Sequence, residues 1–218
     1  MDAIVNDFTI NIATANGTGS QSANLILLQS LFDMGVPVSG KNLFPSNISG
    51  LPTWYIVRLS DKGYQAPGDR THIQVLVNPA TWDEDLAALE PGSVVIWNSD
   101  TKKKTVDRDD IISYPVPMSS LARKINPKIA KLVTNIIYVG ACLESAVAKQ
   151  FKGKATAVEL NITALGLGRD YCKEHLTKED AYAVESRDVE VPQFFIEGNE
   201  AAALGAHYGG VQLLAWYP

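Results

Sequence analysis

Apolar and polar positions alternate along residues 8–15 (FTINIATA), which predicts a β-strand. Turn-forming residues follow at Asn16 to Ser20, and Ser22 to Met34 then repeats apolar residues at helical spacing. Gly35 ends that helix, and Val36 to Ser39 has the composition of a short second strand. Strand, glycine-containing turn, helix and strand is the order that begins an α/β sheet.

The middle of the chain continues this alternation. Leu51 to Ser60 and Tyr64 to Ala66 flank a short turn at Asp61 to Gly63, which predicts a β-hairpin. Asn78 and Pro79 predict the start of a helix that runs to Glu90. Three further strands are predicted at His72 to Val77, Ser93 to Asn98 and Ile111 to Val116. The fold class expected is a three-layer α/β/α Rossmann-like domain, with a mostly parallel or mixed sheet and a β-hairpin insertion.

The last third of the chain divides into helices, a linker and a new unit. Helices are predicted up to about Leu176, with breaks near Asn126-Pro127 and Gly153. The charged stretch Thr177 to Asp188 lacks periodicity, which indicates a surface linker. We therefore expect one domain over residues 1–190 and the start of another over 191–218, with a helix from Glu197 to Tyr208 and a strand from Val211 to Trp216. The second piece is too small to bury a core of its own.

Composition narrows the possible partners. The formal net charge of −5 and the scattered basic residues argue against a nucleic-acid partner. Apolar stretches stop short of the ~20 residues that a membrane span needs, and the N-terminus lacks a signal pattern, so we expect a cytoplasmic protein. Cys142 and Cys172 are the only cysteines, too few for a disulfide framework or for the four thiolates of an iron–sulfur cluster.

The glycine-rich turn is the first candidate site. Gly17, Gly19, Ser20 and Gln21 lie between a strand and a helix, where backbone N–H groups can bind an anion such as a phosphate. A dinucleotide site is disfavoured, because Ser22 replaces the third glycine and no acidic residue lies about 20 positions on. The alternative is a tight turn without a ligand, with Ser20 as the N-cap of the helix.

The stretch from Ser39 to Trp54 is the second candidate. Glycines and prolines alternate there with hydrogen-bond donors, which predicts a long functional or interface loop. Six of its residues are candidates to contact a phosphate or a pantetheine arm: Ser39, Gly40, Lys41, Asn42, Ser46 and Asn47. The alternative is a loop that only packs on another subunit, through Leu43, Phe44, Leu51 and Trp54.

The remaining polar residues predict no chemistry. The three histidines have no metal-ligand spacing, and the carboxylates at Asp83 to Asp85 are explained by the dipole of their helix. Cys142 lies in an apolar helix and is expected in the core. We therefore predict no catalytic residue and no metal ligand in this chain.

Three phrases carry a family resemblance: FTINIATANGTGSQSANLILL, MGVPVSGKNLFPSNISGLPTWYIVR and FIEGNEAAALGAHYGG. Together they resemble the alpha subunit of 2-oxoacid:acceptor (ferredoxin) oxidoreductases, particularly the 2-oxoglutarate type. In that family a gamma-type domain precedes a thiamine-diphosphate pyrimidine-binding domain. EGNEAAALGA resembles the first helix of the latter, so residues 191–218 look like its truncated start.

The resemblance implies an activity for the assembled enzyme. That enzyme decarboxylates a 2-oxoacid on thiamine diphosphate, passes electrons through iron–sulfur clusters to ferredoxin and forms acyl-CoA. It implies that thiamine diphosphate, Mg and the 4Fe-4S clusters are not ligated by this chain, whereas coenzyme A contacts the candidate residues. The implied partners are the rest of the alpha subunit, a thiamine diphosphate-binding beta subunit and ferredoxin. The isolated chain is expected to be inactive, as a split subunit or a fragment.

Two alternatives remain open. In one, the chain acts alone as a coenzyme A or nucleotide-binding module. In the other, it is a structural interaction domain that contacts no ligand.

Overall fold

The computed structural model describes residues 3–45, 48–102, 104–142, 155–189, 194–213 and 215, with only the backbone for 155–158. Contacts between Cα atoms divide the chain into two units, Met1–Arg187 and Asp188–Pro218.

A six-stranded sheet organises the first unit. Its strands are β2 (Phe8–Ala15), β3 (Val38–Leu43), β4 (Pro52–Leu59), β5 (Ile73–Leu76), β6 (Val94–Asn98) and β7 (Ile112–Val116), in the order β3-β4-β2-β5-β6-β7. The pairs β2–β5, β5–β6 and β6–β7 are parallel, whereas β4 pairs antiparallel with β2 and β3. The predicted fold class, with a mixed and mostly parallel sheet, is confirmed.

Helices cover both faces of this sheet. They are α1 (Ser20–Asp33), α2 (Trp82–Ala87), α3 (Met118–Ile125), α4 (Ala130–Cys142) and α5 (Ala155–His175), with a 3₁₀ turn at Pro127–Ile129. Successive strand residues point to opposite faces. Ile10 lines a cavity together with residues of α1, α4 and α5, whereas Ala13 packs with Trp82 of α2. The domain therefore has three layers, with α2 opposite the larger group of helices.

The hairpin lies elsewhere than predicted. It is formed by β3 and β4, which pair from Val38 opposite Leu59 to Leu43 opposite Trp54. Tyr64 to Ala66 forms no strand, since the chain turns at Gly63, with φ 79° and an N–H bonded to the carbonyl of Ser60. The expectation of one long loop over residues 39–54 was also wrong, because residues 39–43 belong to β3 and residues 52–54 belong to β4. An edge strand exposed to water needs no apolar alternation, so β3 has a loop-like sequence.

Helix α2 is shorter than predicted. It starts after Thr81, not at Asn78, and ends at Ala87. The Asn78 side chain instead accepts a hydrogen bond from the N–H of Ala80 and donates one to the carbonyl of Thr14, both 3.0 Å. A local turn tied to the end of β2 therefore uses the residue that was expected to cap the helix.

The segment predicted as a surface linker is part of the domain. Tyr182–Ala183 forms β8, which pairs in parallel with β1 (Ile4–Val5). The Tyr182 ring is buried and packs against Phe8 at 5.3 Å between ring centroids. Charged neighbours obscured this short apolar contact in the sequence.

The second unit contains one described helix, α6 (Gly198–Tyr208), which begins with a capping box between Glu197 and Glu200. The helix buries no side chain. No strand occurs in the described part of the predicted Val211 to Trp216 strand, and residues 214 and 216 lie outside the described residues. The break predicted near Gly153 also falls outside them. Among the described helices, none combines the length and apolar character that crossing a membrane requires.

Candidate functional site

The glycine loop joins the carboxyl end of β2 to the first turn of α1. Gly17 and Gly19 have φ values of 78° and 80°, a region where side chains with a Cβ are disfavoured. Gly19 is the N-cap, and no side chain caps the helix. Ser20, the predicted N-cap of the alternative interpretation, is instead the first helical residue and is buried. The first turn of α1 therefore presents N–H groups that no side-chain cap satisfies.

The end of the hairpin packs against this loop. The N–H of Asn16 bonds to the carbonyl of Leu51, and the N–H of Gly50 bonds to the carbonyl of Asn16, both at 2.8 Å. A Cβ on Gly17 would lie 2.5 Å from the hydroxyl of Ser49. Residues 16–19 and 48–51 therefore form one continuous structure, here called the loop ridge.

Helix α4 supports the loop ridge from the other side. Asn135 Nδ2 donates a hydrogen bond of 2.7 Å to the carbonyl of Thr18, and Tyr138 Oη donates one of 2.5 Å to Asn24 Oδ1 in α1. Burial raises the pKa of Tyr138 well above its usual value, so the phenol stays protonated and remains a donor. These contacts fix the loop between a strand and a helix.

A set of buried polar residues surrounds these contacts: Thr14, Ser20, Asn24, Thr134, Asn135 and Tyr138. Thr14 is 1% exposed, and its hydroxyl has no hydrogen-bond partner. Sequence reasoning missed this cluster, because α4 was considered only as an apolar helix. Its signal was the spacing of three polar residues at positions 134, 135 and 138, which places them on one helix face.

The candidate residues in β3 do not all lie close to the glycine loop. Ser39 donates a hydrogen bond to the carbonyl of Gln65. In the sheet, Ser39 of β3 pairs with Arg58 of β4, and Arg58 in turn pairs with Thr9 of β2. Ser39 is therefore near the amino end of β2, roughly 20 Å from the glycine loop at ~3.3 Å per residue.

The other β3 candidates lie nearer to the ridge but face different ways. A Cβ on Gly40 would lie 2.7 Å from Leu28 of α1, so the alternating residue Asn42 shares that face and exposed Lys41 faces the opposite one. Asn42 Oδ1 accepts a hydrogen bond of 3.2 Å from Thr53. Ser46 and Asn47 lie outside the described residues.

Apolar side chains are exposed around the hairpin end. Phe44 is 54% exposed and Ile48 62%, and both Leu43 and Leu51 are also exposed. Trp54, expected to be a fourth anchor, instead packs in the core below α2, with its indole N–H bonded to Asp85. Three of the four predicted interface anchors are therefore available to a partner.

Three other titratable side chains lie outside the loop ridge. His72 Nδ1 accepts a hydrogen bond of 3.0 Å from the N–H of Thr9, and burial lowers its pKa, so it is neutral near pH 7. Asp85 is also buried, which raises its pKa. Cys142 lines a cavity and is only partly buried.

Among the residues that the structure describes, no three His, Cys, Asp or Glu side chains converge as metal ligands do. The two cysteines of the chain are also too few to hold an iron–sulfur cluster.

Comparison with known proteins gives a consistent result. The chain is 19% identical to subunit alpha of 2-oxoacid:ferredoxin oxidoreductase 2 from Aeropyrum pernix, over 97% of this chain and 41% of that protein. It is structurally similar to 2-oxoglutarate:ferredoxin oxidoreductase from Magnetococcus marinus, solved with 2-oxoglutarate, coenzyme A and succinyl-CoA bound. That match has a TM-score of 0.81 and 24% identity, over 94% of this chain and 37% of that one. The chain thus spans less than half the length of either relative.

Two separate subunits share the fold of the first unit. They are the gamma subunit of a keto/oxoacid ferredoxin oxidoreductase from Geobacter sulfurreducens and a pyruvate oxidoreductase subunit from Thermotoga maritima. The TM-scores are 0.61 and 0.59 at 20% and 17% identity, over 77% and 76% of this chain and 99% and 96% of those chains. Residues 9–171 also match the family described as pyruvate ferredoxin/flavodoxin oxidoreductase. The resemblance seen in the sequence is therefore confirmed, and the chain belongs to the pyruvate ferredoxin/flavodoxin oxidoreductase family.

Proposed function

We propose that this chain is part of the alpha subunit of a 2-oxoacid:ferredoxin oxidoreductase of the 2-oxoglutarate type. Its first unit then supports the path of coenzyme A and the contact between subunits. The similarity to an alpha subunit over 97% of the chain supports the first statement. The bound 2-oxoglutarate and coenzyme A in the Magnetococcus structure support the choice of substrates.

The loop ridge carries the coenzyme A assignment. It places the uncapped first turn of α1, where the helix dipole favours negative charge, beside the hairpin. A phosphate of coenzyme A is the anion that we assign to this turn, with Gln21 at the exposed edge of the helix. Asn42 and Lys41 would contact the ligand from the two sides of the edge strand.

The exposed hairpin end carries the interface assignment. Leu43, Phe44 and Ile48 present apolar surface next to the loop ridge. In the Geobacter and Thermotoga proteins this fold is a separate subunit, so it must contact other chains of its complex. A subunit contact at this position would also exclude water from the coenzyme A path.

The second unit is assigned to the start of a thiamine-diphosphate pyrimidine-binding domain. The Magnetococcus match leaves about 6% of the chain uncovered, whereas residues 188–218 are 31 of 218, or about 14%. Part of this unit therefore lies inside the match. Helix α6 buries no side chain, as expected for an element that needs further chain to pack against.

The chemistry in this proposal belongs to the assembled enzyme. Thiamine diphosphate supplies the carbanion chemistry of decarboxylation when it is bound elsewhere in the complex. The residues described here bind, orient and shield coenzyme A, and none of them transfers a proton or an acyl group. The isolated chain should accordingly be inactive.

The test uses the assembled enzyme with Lys41→Ala and Asn42→Ala. We expect the KM for coenzyme A to rise by about tenfold, as for the loss of one or two polar contacts, with decarboxylation in the absence of coenzyme A largely unchanged. Lys62→Ala is the matched control, because Lys62 is also an exposed lysine but lies in the turn between Asp61 and Gly63, away from β3.

Two results would contradict the proposal. Wild-type kinetics in the double variant would favour a purely structural domain. Calorimetric binding of coenzyme A by the isolated chain, lost in Lys41→Ala, would instead favour an independent binding module.

A further inference from the structure

Helix α4 contacts the two residues that come immediately before α1. Asn135 Nδ2 donates a hydrogen bond of 2.7 Å to the carbonyl of Thr18 and lies 3.3 Å from the Thr18 hydroxyl. Leu132 lies so close to Gly19 that a Cβ on this glycine would be 2.8 Å from Leu132 Cδ2. Because Leu132 and Asn135 are three residues apart, they share the face of α4 that meets the glycine loop.

Asn135 is a polar residue in a buried part of α4. It is 2% exposed, and the next two residues, Ile136 and Ile137, are buried and apolar. A buried amide costs free energy unless it is hydrogen-bonded. The neighbouring Thr134 hydroxyl bonds within the helix, to the carbonyl of Ala130 at 2.8 Å. The Asn135 amide instead donates to a different segment of the chain, so its contact stabilises the loop and not its own helix.

Thr18 is held from two sides. Its hydroxyl donates a hydrogen bond of 2.7 Å to the carbonyl of Ala15, the last residue of β2. Its carbonyl accepts the hydrogen bond from Asn135. The first bond closes the turn after the strand, and the second joins that turn to α4. Together the two bonds fix the orientation of the peptide unit between Thr18 and Gly19.

The orientation of this peptide unit decides where the N–H of Gly19 points. The peptide bond is trans and planar, so its C=O and N–H groups point in opposite directions. Because the carbonyl of Thr18 points towards Asn135, the N–H of Gly19 points away from α4. Gly19 is exposed and is the N-cap of α1, where no carbonyl of the helix is available to its N–H. This N–H is therefore directed to where an anion at the first turn would bind.

We propose that Asn135 is a positioning residue for the binding of coenzyme A. By holding the carbonyl of Thr18, it aims the N–H of Gly19 at the phosphate and keeps the loop in this conformation before the ligand binds. This inference rests on the proposed function, in which a phosphate of coenzyme A lies at the first turn of α1. Asn135 is itself buried, so it acts through the loop and not by contact with the ligand.

The other explanation of Asn135 is purely structural, with an amide that only pairs a buried carbonyl. Asn6 allows the two explanations to be separated. It is 1% exposed, and its Nδ2 donates a hydrogen bond of 2.9 Å to the carbonyl of Glu185, whose N–H it accepts in return. Asn6 precedes β2, whereas the glycine loop follows the other end of that strand. Alanine at either asparagine therefore removes a buried amide donor, but only one of them contacts the loop.

Steady-state kinetics of the assembled enzyme test the proposal. Asn135→Ala should raise the KM for coenzyme A by about tenfold, with kcat at saturating coenzyme A and decarboxylation in its absence largely unchanged. Asn6→Ala should leave this KM unchanged, although it should lose at least as much stability in urea. Asn135→Leu has no donor and fills a similar volume, so it replaces the alanine variant if that variant does not assemble.

Gly19→Ala separates this inference from the proposed function. Its φ of 80° and the close approach of Leu132 mean that alanine distorts the loop directly, so the KM for coenzyme A should rise at least as much as in Asn135→Ala. A raised KM in Gly19→Ala alone would overturn the role of Asn135 and leave the phosphate at the loop. A wild-type KM in both variants would overturn the coenzyme A assignment and this inference together. An equal rise in Asn6→Ala would attribute the effect to lost stability and contradict the role of Asn135.

Discussion

The indole N–H of Trp54 donates a hydrogen bond of 2.7 Å to Oδ1 of Asp85, and so joins the start of β4 to helix α2. Asp85 is 8% exposed, and its other carboxylate oxygen has no hydrogen-bond partner. Burial raises the pKa of this carboxyl. The contact ties the hairpin to the layer on the opposite face of the sheet.

Trp54→Phe should destabilise the protein by about 1–3 kcal/mol, because both oxygens of a buried carboxylate would then lack a partner. Unfolding in urea, followed by circular dichroism, measures this loss. Trp97→Phe is the matched control, since that indole donates to Ser113 at an exposed position and should cost less. Equal losses of stability in the two variants would show that the hydrogen bond from Trp54 to Asp85 contributes no more than the exposed one from Trp97 to Ser113.

Asp85→Asn should stabilise the protein by roughly 1 kcal/mol near pH 7, since an amide can still accept from Trp54 and can donate to the unpartnered hydroxyl of Thr81. The folded-state pKa is raised, so the stability contributed by Asp85 is fully present below the unfolded pKa and is lost as pH rises through the folded value. The advantage of the variant should therefore shrink as pH falls towards 4.

Urea titrations at several pH values measure this difference. Asp83→Asn is the control, because Asp83 is exposed and pairs with Lys104 on the surface. It should show only a small loss of stability at pH 7. An advantage of Asp85→Asn that did not change with pH would contradict the assignment to ionisation.

Gly168→Ala should destabilise the protein by about 1–3 kcal/mol, because a Cβ there would lie 2.2 Å from the backbone carbonyl of Ile137 and push α5 away from α4. Gly166→Ala, two residues earlier in the same helix, meets no atom within 4 Å and should gain up to ~1 kcal/mol from helix propensity. Thermal unfolding compares the two. Similar midpoints of thermal unfolding in the two variants would mean that α5 can move away from α4 with little loss of stability.

Most strands of the parallel part of the sheet could be predicted from sequence. Residues 73–76, 94–98 and 112–116 are flanked on both faces, so their apolar runs stand out from the surrounding loops. Strand β3 was predicted only in part, because the short strand expected at Val36 to Ser39 covers only its first two residues. It lies at the sheet edge, its exposed positions include Gly40 and Lys41, and its pairing with β4 depends on residues up to 21 positions away.

The candidate site was only partly predictable. The glycine loop was found because positive φ angles require glycine at Gly17 and Gly19. Its contacts with Asn135 and Leu51 depend on tertiary packing, which a local pattern does not reveal. The position of Ser39, near the amino end of β2, likewise follows from strand register alone.

The parallel pairing of Ile4–Val5 with Tyr182–Ala183 brings the first and last strands of the first unit side by side. Domains whose ends meet in this way tolerate being joined into longer chains, or cut free from them, since neither change disturbs the core. The same fold is a whole chain in the Geobacter and Thermotoga proteins and about a third of the Magnetococcus chain. The pairing of β1 with β8 therefore leaves both ends of the first unit at one place, where this fold can be continued into a longer chain without disturbing its core.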